Sequence, residues 1–287
     1  MRIEFRLVDV FTDRPLAGNQ LCVVPDGAGV PDALMQELAR EIGFSETTFV
    51  TEAAADRYAM RIFTPGAEIP FAGHPSLGTA FVLASEGRID GHAVQSVASG
   101  EFILDVDLEA STAWMDQGMP KLGPGAPDLR AVAAAAGLVE ADLHPGLPPQ
   151  VVSAGLPHLM VSLAEPDLLG RARPDPDSLR DLLGGLGADG YYLFFFDPDS
   201  NHASARMFGP GLGLLEDPAT GSAAGPLGAY LARRGALQPG RMTVSQGVEM
   251  GRPSLLMVDV SETEGELSVS IGGGVTIVGR GHFDIPA

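Results

Sequence analysis

The chain has 287 residues, 45% of them hydrophobic, which is enough for one large domain or two ordinary domains with their own cores. It carries 37 acidic and 18 basic residues, and this formal charge of −19 disfavours binding to nucleic acid or to anionic membranes. A single cysteine, Cys22, excludes a disulfide framework and a thiolate metal cluster. Without an apolar signal core or a run long enough to span a membrane, we expect a cytoplasmic protein.

In the first part of the chain, short strands surround two helical segments. Alternating apolar residues predict strands over residues 2–11, 21–24, 47–50, 60–63 and 102–108. Leu34, Leu38 and Ile42 recur at four-residue spacing and predict a helix over residues 31–42, which Gly43 ends.

The second part begins with a Pro- and Gly-rich stretch, residues 120–127, that we interpret as a linker. Helices are predicted over residues 128–136 and 178–183, and strands over 150–153, 159–163, 191–196, 242–245, 255–260, 267–271 and 275–278. The run Gly272-Gly273-Gly274 predicts a turn or bulge, since no helix follows it to make a phosphate loop. Most strands follow one another without a helix between them, so parallel α/β order is not expected.

The stretch from Glu216 to Gly235, EDPATGSAAGPLGAYLARRG, predicts a buried helix. It starts with two carboxylates, turns through Gly221 and Ser222, and is then apolar on every side, as in a helix inside a core. The first amides of such a helix have no partner within it and can bind an anion. Pro226 is expected in the first turn, where a missing N–H costs little.

Residues 73–87 repeat this pattern upstream. Gly73 aligns with Gly221 and His74 with Ser222, and both segments end in a glycine suited to a C′ position. The lead-ins over residues 61–66 and 206–211 match as well. Two linked matches predict an internal duplication. We therefore expect an α+β fold with two pseudo-repeated halves, residues 1–118 and 119–287, each a β-barrel-like sheet around a central helix. This expectation includes the possibility that the last strands pair with the first half.

If the halves face each other, both helix N-termini point into one cleft, where their amides could hold a carboxylate or an enolate-like oxygen. Alternatively, the glycines only permit tight turns. Glu46, among aromatic and β-branched neighbours, would be partly desolvated, which raises a carboxyl pKa toward neutrality and suits proton transfer. Alternatively, Glu46 lies on the polar face of a strand. The corresponding strand, 191–196, carries no acid, so the fold does not require one there.

Asp217 is either a capping acid for the following helix or a cleft residue. His74 is either a core histidine or, at a cleft-facing helix N-terminus, a catalytic group. The remaining histidines, at positions 92, 144, 158, 202 and 282, show no ligand spacing, so no metal site is expected.

Taken together, these segments resemble the phenazine-biosynthesis isomerase family (PhzF-like), which has the diaminopimelate-epimerase-like fold. The matches span nearly the whole chain and comprise residues 9–11 with 18–19, FSETTFV at 44–50, RIFTP at 61–65, FAGHP at 71–75, EDPATGSAAGPL at 216–227 and QGVEMGRPS at 246–254. Gln20 departs from the family pattern, which usually has proline there.

The resemblance implies cofactor-free isomerisation by proton transfer, at a site between two similar halves and usually in a homodimer. It places the acid/base group on Glu46 and the assisting groups on His74 and Asp217. The positions implied to hold substrate are Ser45, Gly73, Gly221 and Ser222. The epimerase relatives use cysteines at the helix N-termini, and this chain has none there, so two-thiol racemisation is not expected.

The founding activity of this family is the isomerisation of trans-2,3-dihydro-3-hydroxyanthranilate. The resemblance therefore implies a small carboxylic acid as substrate. Two alternatives stay open: an isomerase or epimerase of another small acid, and a non-catalytic binding protein on the same fold.

Overall fold

The computed structural model describes residues 1–286, apart from the side chain of Leu214. Tertiary contacts divide the chain into two compact units. The first comprises Met1–Asp116 with the segment from Gly272 onward, and the second comprises Gln117–Ile271.

The elements of the first unit, in chain order, are β1 (Arg2–Val10), β2 (Asn19–Val24), α1 (Asp32–Ile42), β3 (Glu46–Ala54), β4 (Arg57–Phe63), β5 (Glu68–Ile69), α2 (Gly73–Ser85), β6 (His92–Val97), β7 (Gly100–Asp107) and β8 (Thr112–Gly118). The chain then continues through β9 (Lys121–Gly125), α3 (Leu129–Ala135), β10 (Gln150–Ser153), β11 (Pro157–Ser162), α4 (Leu168–Arg171), α5 (Pro176–Leu186), β12 (Gly190–Asp197), β13 (His202–Gly209), β14 (Leu214–Asp217), α6 (Gly221–Arg233), β15 (Gly240–Gln246) and β16 (Ser254–Thr263). The long last strand, β17 (Glu266–Asp284), begins in the second unit and ends in the first.

This is a mixed α/β protein with an eight-stranded barrel in the first unit. Going round the barrel, β1 pairs with β2, β2 with β3, β3 with β4, β4 with β6, β6 with β7 and β7 with β8, and β17 closes the ring by pairing with both β8 and β1. The pairs β2–β3 and β4–β6 are parallel. The pairs β1–β2, β3–β4, β6–β7, β7–β8 and β1–β17 are antiparallel, so the ring does not have parallel α/β order, as expected from the sequence. Parallel neighbours need a crossover, and α1 and α2 supply one each.

Helix α2 is the buried helix of the first unit, as its apolar sequence predicted. All its residues from Gly73 to Ala84 are buried, and it packs against β1, β2, β3 and β7. A side chain at Gly78 would come within 2.6 Å of Leu21, so the small residue lets the helix approach the strands. The helix ends at Ser85, and Gly87 adopts φ 66°, as expected for a C′ glycine.

The second unit places α6 in a similar setting. Antiparallel pairs join β10 to β11, β12 to β13 and β15 to β16, and parallel pairs join β11 to β12 and β13 to β15. Helix α6 is buried from Gly221 to Leu231 and packs on β10, β11 and β16. Apolar residues of α3, α4 and α5 form a further core against β11 and β12. Within residues 1–286, no helix is long and apolar enough to cross a membrane.

Two local expectations are wrong. Pro226 is the sixth residue of α6 and lies inside the helix, not in its first turn, so the carbonyl of Ser222 lacks the donor that residue 226 would normally supply. The stretch over residues 120–127 is not a free linker, because it contains β9, which pairs with β10. Pro124 falls at the irregularity of that pairing, where no N–H is needed.

The triple glycine is also not a turn. Residues 272–274 lie inside β17, where Gly272 leaves room for the ring of Trp114 and Gly274 for the backbone of Thr12. A side chain at either glycine would come within 2.5 Å of these neighbours. The glycines therefore serve close approach between segments that are distant in sequence.

Candidate functional site

Glu46 is the first residue of β3, where it pairs in register with Leu21 of β2. Its carboxylate is buried, and Oε2 lies 3.2 Å from Nε2 of His74, the second residue of α2, which is also buried. The structure therefore brings together two residues that the sequence identified separately. The interpretation of Glu46 as an exposed strand residue is wrong, since the residue is only 8% exposed.

Burial raises the pKa of Glu46 to about 7, and a hydrogen bond from Ser45 lowers it in part. Ser45 is half-buried, and its hydroxyl also lies within hydrogen-bonding distance of Oδ1 of Asn19, at 3.2 Å. A carboxyl group with a pKa near neutrality is populated in both protonation states at physiological pH. Such a group can accept a proton and return it, which is the requirement for general acid–base chemistry.

The N-terminus of α2 carries its first amides without a capping side chain. Its N-cap residue, Ala72, has no group that could bond them, and α6 likewise receives no side-chain cap from Thr220. By contrast, α3 and α5 begin after Asp128 and Asp175, whose carboxylates accept a hydrogen bond from the first turn. Uncapped, buried helix N-termini favour an anionic group, because the amides and the helix dipole both attract negative charge.

In the second unit, the neighbouring acids Glu216 and Asp217 have different partners. Arg206 binds the carboxylate of Glu216 through two hydrogen bonds of 2.8 Å. The carboxylate of Asp217, only 7% exposed, instead accepts a hydrogen bond from the hydroxyl of Thr220. Asp217 is thus held at the turn into α6, while Glu216 is neutralised by an arginine.

Gln246, at the end of β15, is fully buried and fixes that turn. Its Nε2 donates to the carbonyl of Asp217 at 2.7 Å and to the hydroxyl of Thr220 at 2.9 Å. Its Oε1 accepts from the amide of Thr220 at 3.2 Å and from the hydroxyl of Tyr192 at 3.0 Å. Every polar position of the Gln246 amide is engaged, so the backbone and side chain of Asp217 have little freedom to move.

Ser222 and Gly221 occupy the first turn of α6. The carbonyl of Gly221 accepts a hydrogen bond of 3.1 Å from Gln117. The hydroxyl of Ser222 lies 3.0 Å from Nε2 of His158, a residue of β11 with no solvent exposure. The Ser222 side chain is itself buried, so this contact is shielded from water.

A cavity of about 620 Å³ in the second unit does not contain the predicted site residues. It is lined by Arg206, Glu216, Phe208 and Leu179, among others. Arg206 and Glu216 in its lining form an ion pair, and we assign no chemistry to this cavity. Among residues 1–286, no group of three or more His, Cys, Asp or Glu side chains is placed to hold a metal ion.

A family model for phenazine biosynthesis-like proteins (PhzC-PhzF) matches residues 8–281. The chain belongs to this family. It is 35% identical over 97% of its length to trans-2,3-dihydro-3-hydroxyanthranilate isomerase of Pseudomonas fluorescens, of which it covers 98%. It is also 31% identical to an uncharacterized isomerase of Escherichia coli O157:H7, with 99% of each chain covered. Accordingly, it is a PhzF-family isomerase.

Solved structures agree with this assignment. The solved structure of a predicted epimerase from Pseudomonas aeruginosa is 38% identical in sequence, with a TM-score of 0.85 over 99% of this chain and 100% of that one. A probable proline racemase from Agrobacterium radiobacter K84, 14% identical, superposes with a TM-score of 0.66 over 99% of this chain and 93% of that one. The PhzF-family chain therefore has the diaminopimelate-epimerase-like fold.

Two residues that contact the candidate site residues, Gln246 and His158, were not identified from the sequence. Gln246 stands in the QGVEMGRPS motif, but the motif does not indicate which groups a buried amide will bind. His158 was set aside with the other histidines because none has ligand spacing. The available signal was its position in an apolar strand, on the face that also presents Met160 and Ser162, but only the pairing of β11 with β12 and the course of α6 bring it to Ser222.

Proposed function

We propose that this protein is a cofactor-independent isomerase that moves a proton within a small carboxylic acid, with trans-2,3-dihydro-3-hydroxyanthranilate as the first candidate substrate. In this proposal Glu46 removes a proton from a carbon next to a conjugated carbon. The C–H electron pair enters the conjugated system, and Glu46 then returns the proton to another carbon of the same molecule. Atoms and electrons balance without a further reactant.

The single observation that carries this proposal is the buried contact between Glu46 and His74. An ordinary solvated carboxylate is too weak a base for a carbon acid, and desolvation strengthens it. His74, at the positive end of α2, can stabilise charge on Glu46 or on the intermediate without forming a covalent bond. Ser45 and Gly73 flank this pair in sequence, which supports a role in holding substrate.

For the second unit, we propose that Asp217 assists the proton transfer and that Gly221 and Ser222 hold the substrate. Support comes from the fixed position of Asp217 and from the uncapped first turn of α6. Negative charge on a substrate carboxylate would be favoured at that turn despite the acidic surface, because local amides outweigh distant, screened charges.

We also infer that the two halves arose by internal duplication. The same interval separates Gly73 from Gly221, the first residues of α2 and α6, and Ser85 from Arg233, their last residues. The strand pairings around each helix occur in the same order, with parallel pairs at equivalent places. This inference does not require that either half fold in isolation.

One observation supports another small acid as the substrate. Relatives at about the same identity include uncharacterized isomerases, such as that of Escherichia coli O157:H7 at 31%. An isomerase or epimerase of a different acid is therefore the second candidate, with the same role for Glu46.

The test is incubation of the protein with trans-2,3-dihydro-3-hydroxyanthranilate in D2O, followed by NMR. We expect an isomer with the same atoms, carrying either solvent deuterium or the transferred proton at the receiving carbon. Glu46→Gln should give no isomer, and Glu52→Gln, which changes an exposed acid on the same strand, should behave as wild type. An inert first substrate, with another acid isomerised, would favour the second candidate. Hydrolysis or redox products alone would refute the proposal.

A further inference from the structure

His158, which contacts Ser222, fits into its position because the residue opposite it, Gly190, has no side chain. His158 of β11 pairs in register with Gly190, the first residue of β12. A Cβ at Gly190 would lie 2.4 Å from Nδ1 of His158 and 2.7 Å from the methyl group of Met207. No alanine could occupy position 190 without displacing the imidazole or its neighbour.

The ring of His158 is neutral. Burial lowers its pKa to about 3, so at physiological pH it carries one proton on one of its two nitrogens. Nδ1 makes no hydrogen bond to any residue in the described range, 1–286, whereas Nε2 lies 3.0 Å from Oγ of Ser222. A buried N–H without a partner costs more, and occurs less often, than a buried acceptor without one. The proton therefore belongs on Nε2, which donates it to Ser222.

We propose that His158 is a positioning residue that makes the Ser222 hydroxyl a hydrogen-bond donor to the substrate. By donating to Oγ, the imidazole occupies one of its lone pairs and leaves the hydroxyl hydrogen to point elsewhere. Together with the first amides of α6, that hydrogen suits a carboxylate oxygen. The identity of the ligand in this inference rests on the proposed function. The tautomer of His158 and its contact with Ser222 do not depend on it.

The same arrangement argues against Ser222 as a nucleophile. A serine nucleophile needs a neighbouring base that accepts its proton, and that base is normally oriented by an acid on its far side. Here Nε2 is the donor, and no described acid hydrogen-bonds to Nδ1. His158 is thus unsuited to activate Ser222 for acyl transfer, and proton transfer remains with Glu46.

The tautomer is tested on the wild-type protein by ¹⁵N NMR after labelling with imidazole-¹⁵N histidine. The His158 signals are assigned by their loss in His158→Gln. We expect a protonated Nε2 and an unprotonated Nδ1, because the chemical shifts of the two states differ. A proton on Nδ1 would overturn the proposal whether or not the protein turns over any substrate. This measurement is independent of the proposed function.

The effect on binding is tested with anthranilate, a carboxylate that lacks the sp³ C–H to be transferred, by calorimetric titration. Ser222→Ala and His158→Leu should each weaken binding about tenfold to a hundredfold, the range for a hydrogen bond to a charged group. His158→Gln, which keeps an N–H close to the position of Nε2, should restore most of the affinity.

The double variant separates positioning from a purely structural role. If His158 acts through Ser222, then His158→Leu combined with Ser222→Ala should bind anthranilate no more weakly than Ser222→Ala alone. Additive losses, or a loss in His158→Leu that Gln does not restore, would refute the proposal. Binding that follows this pattern without turnover of trans-2,3-dihydro-3-hydroxyanthranilate would support the positioning role and count against the proposed substrate only.

Discussion

Replacing Glu46 with Gln should reduce catalysis and, at neutral pH and above, make the protein more stable. Gln keeps the size of the side chain and a polar contact for His74, but it cannot take up or release a proton. General acid–base groups contribute roughly a hundred- to ten-thousand-fold to rate, so kcat should fall by about that factor.

The stability effect follows from the pKa of Glu46, which burial raises from 4.5 to about 7. Below about pH 4.5 Glu46 is protonated in both the folded and the unfolded state, so it does not lower the free energy of unfolding. As pH rises toward 7 the unfolded state loses its proton first, so the folded state loses stability. Above pH 7 the cost approaches an upper limit of about 3 kcal/mol, a value that already includes the opposing hydrogen bond from Ser45.

Denaturant unfolding of wild type and Glu46→Gln between pH 4.5 and 8 measures this difference. We expect curves that nearly coincide at pH 4.5 and a variant more stable by up to about 3 kcal/mol at pH 8. Glu52→Gln, an exposed change on the same strand, should alter neither kcat nor stability appreciably. A Glu46→Gln variant that keeps more than about a tenth of the wild-type rate would show that Glu46 is not the base. A stability difference that does not change with pH would show that its carboxyl is not desolvated.

Two further substitutions test the packing of the second unit. Gly190→Ala should destabilise the folded protein by about 1–3 kcal/mol, because its Cβ would be overpacked against His158. Gly184→Ala, which lies in open space on α5, should be neutral or slightly stabilising. Thermal unfolding compares the two variants, and equal effects would contradict the close approach at Gly190. Gln246→Leu should destabilise by about 3–5 kcal/mol, because it leaves four buried polar groups without their partner, and should also slow catalysis. The matched change at Gln150, which is more exposed, should cost less than about 1 kcal/mol, and a similar cost at both positions in denaturant unfolding would refute the reasoning.

Local chemistry in the sequence determined the two buried helices. A segment that is apolar on every side has no face to present to water, so α2 and α6 had to be enclosed. Their ends followed from glycines that adopt a left-handed conformation, as Gly87 and Gly235 do. The apolar neighbours of Glu46 indicated desolvation as one of two alternatives, and the burial of residues 46–50 on both faces of β3 decided between them.

Strand pairing was decided only by the tertiary structure. Proline and glycine over residues 120–127 indicated a linker, but β10 was available to pair with that segment. Gly272–Gly274 indicated a turn or bulge, but the close approach of Trp114 and of the Thr12 backbone leaves no room for side chains there. In both cases the deciding contact comes from a residue far away in the chain, which a local pattern cannot register.

The polar partners of the candidate site show the same division. The sequence pointed to Glu46, His74, Asp217 and Ser222 because each stands next to a distinctive helix start or in an unusual apolar setting. It did not indicate His158, whose significance depends on a glycine across a parallel strand pair and on the course of α6. The sequence specifies which residue types are present. Which of them form hydrogen bonds depends on the distances between them, and these are set only when the strands and helices pack.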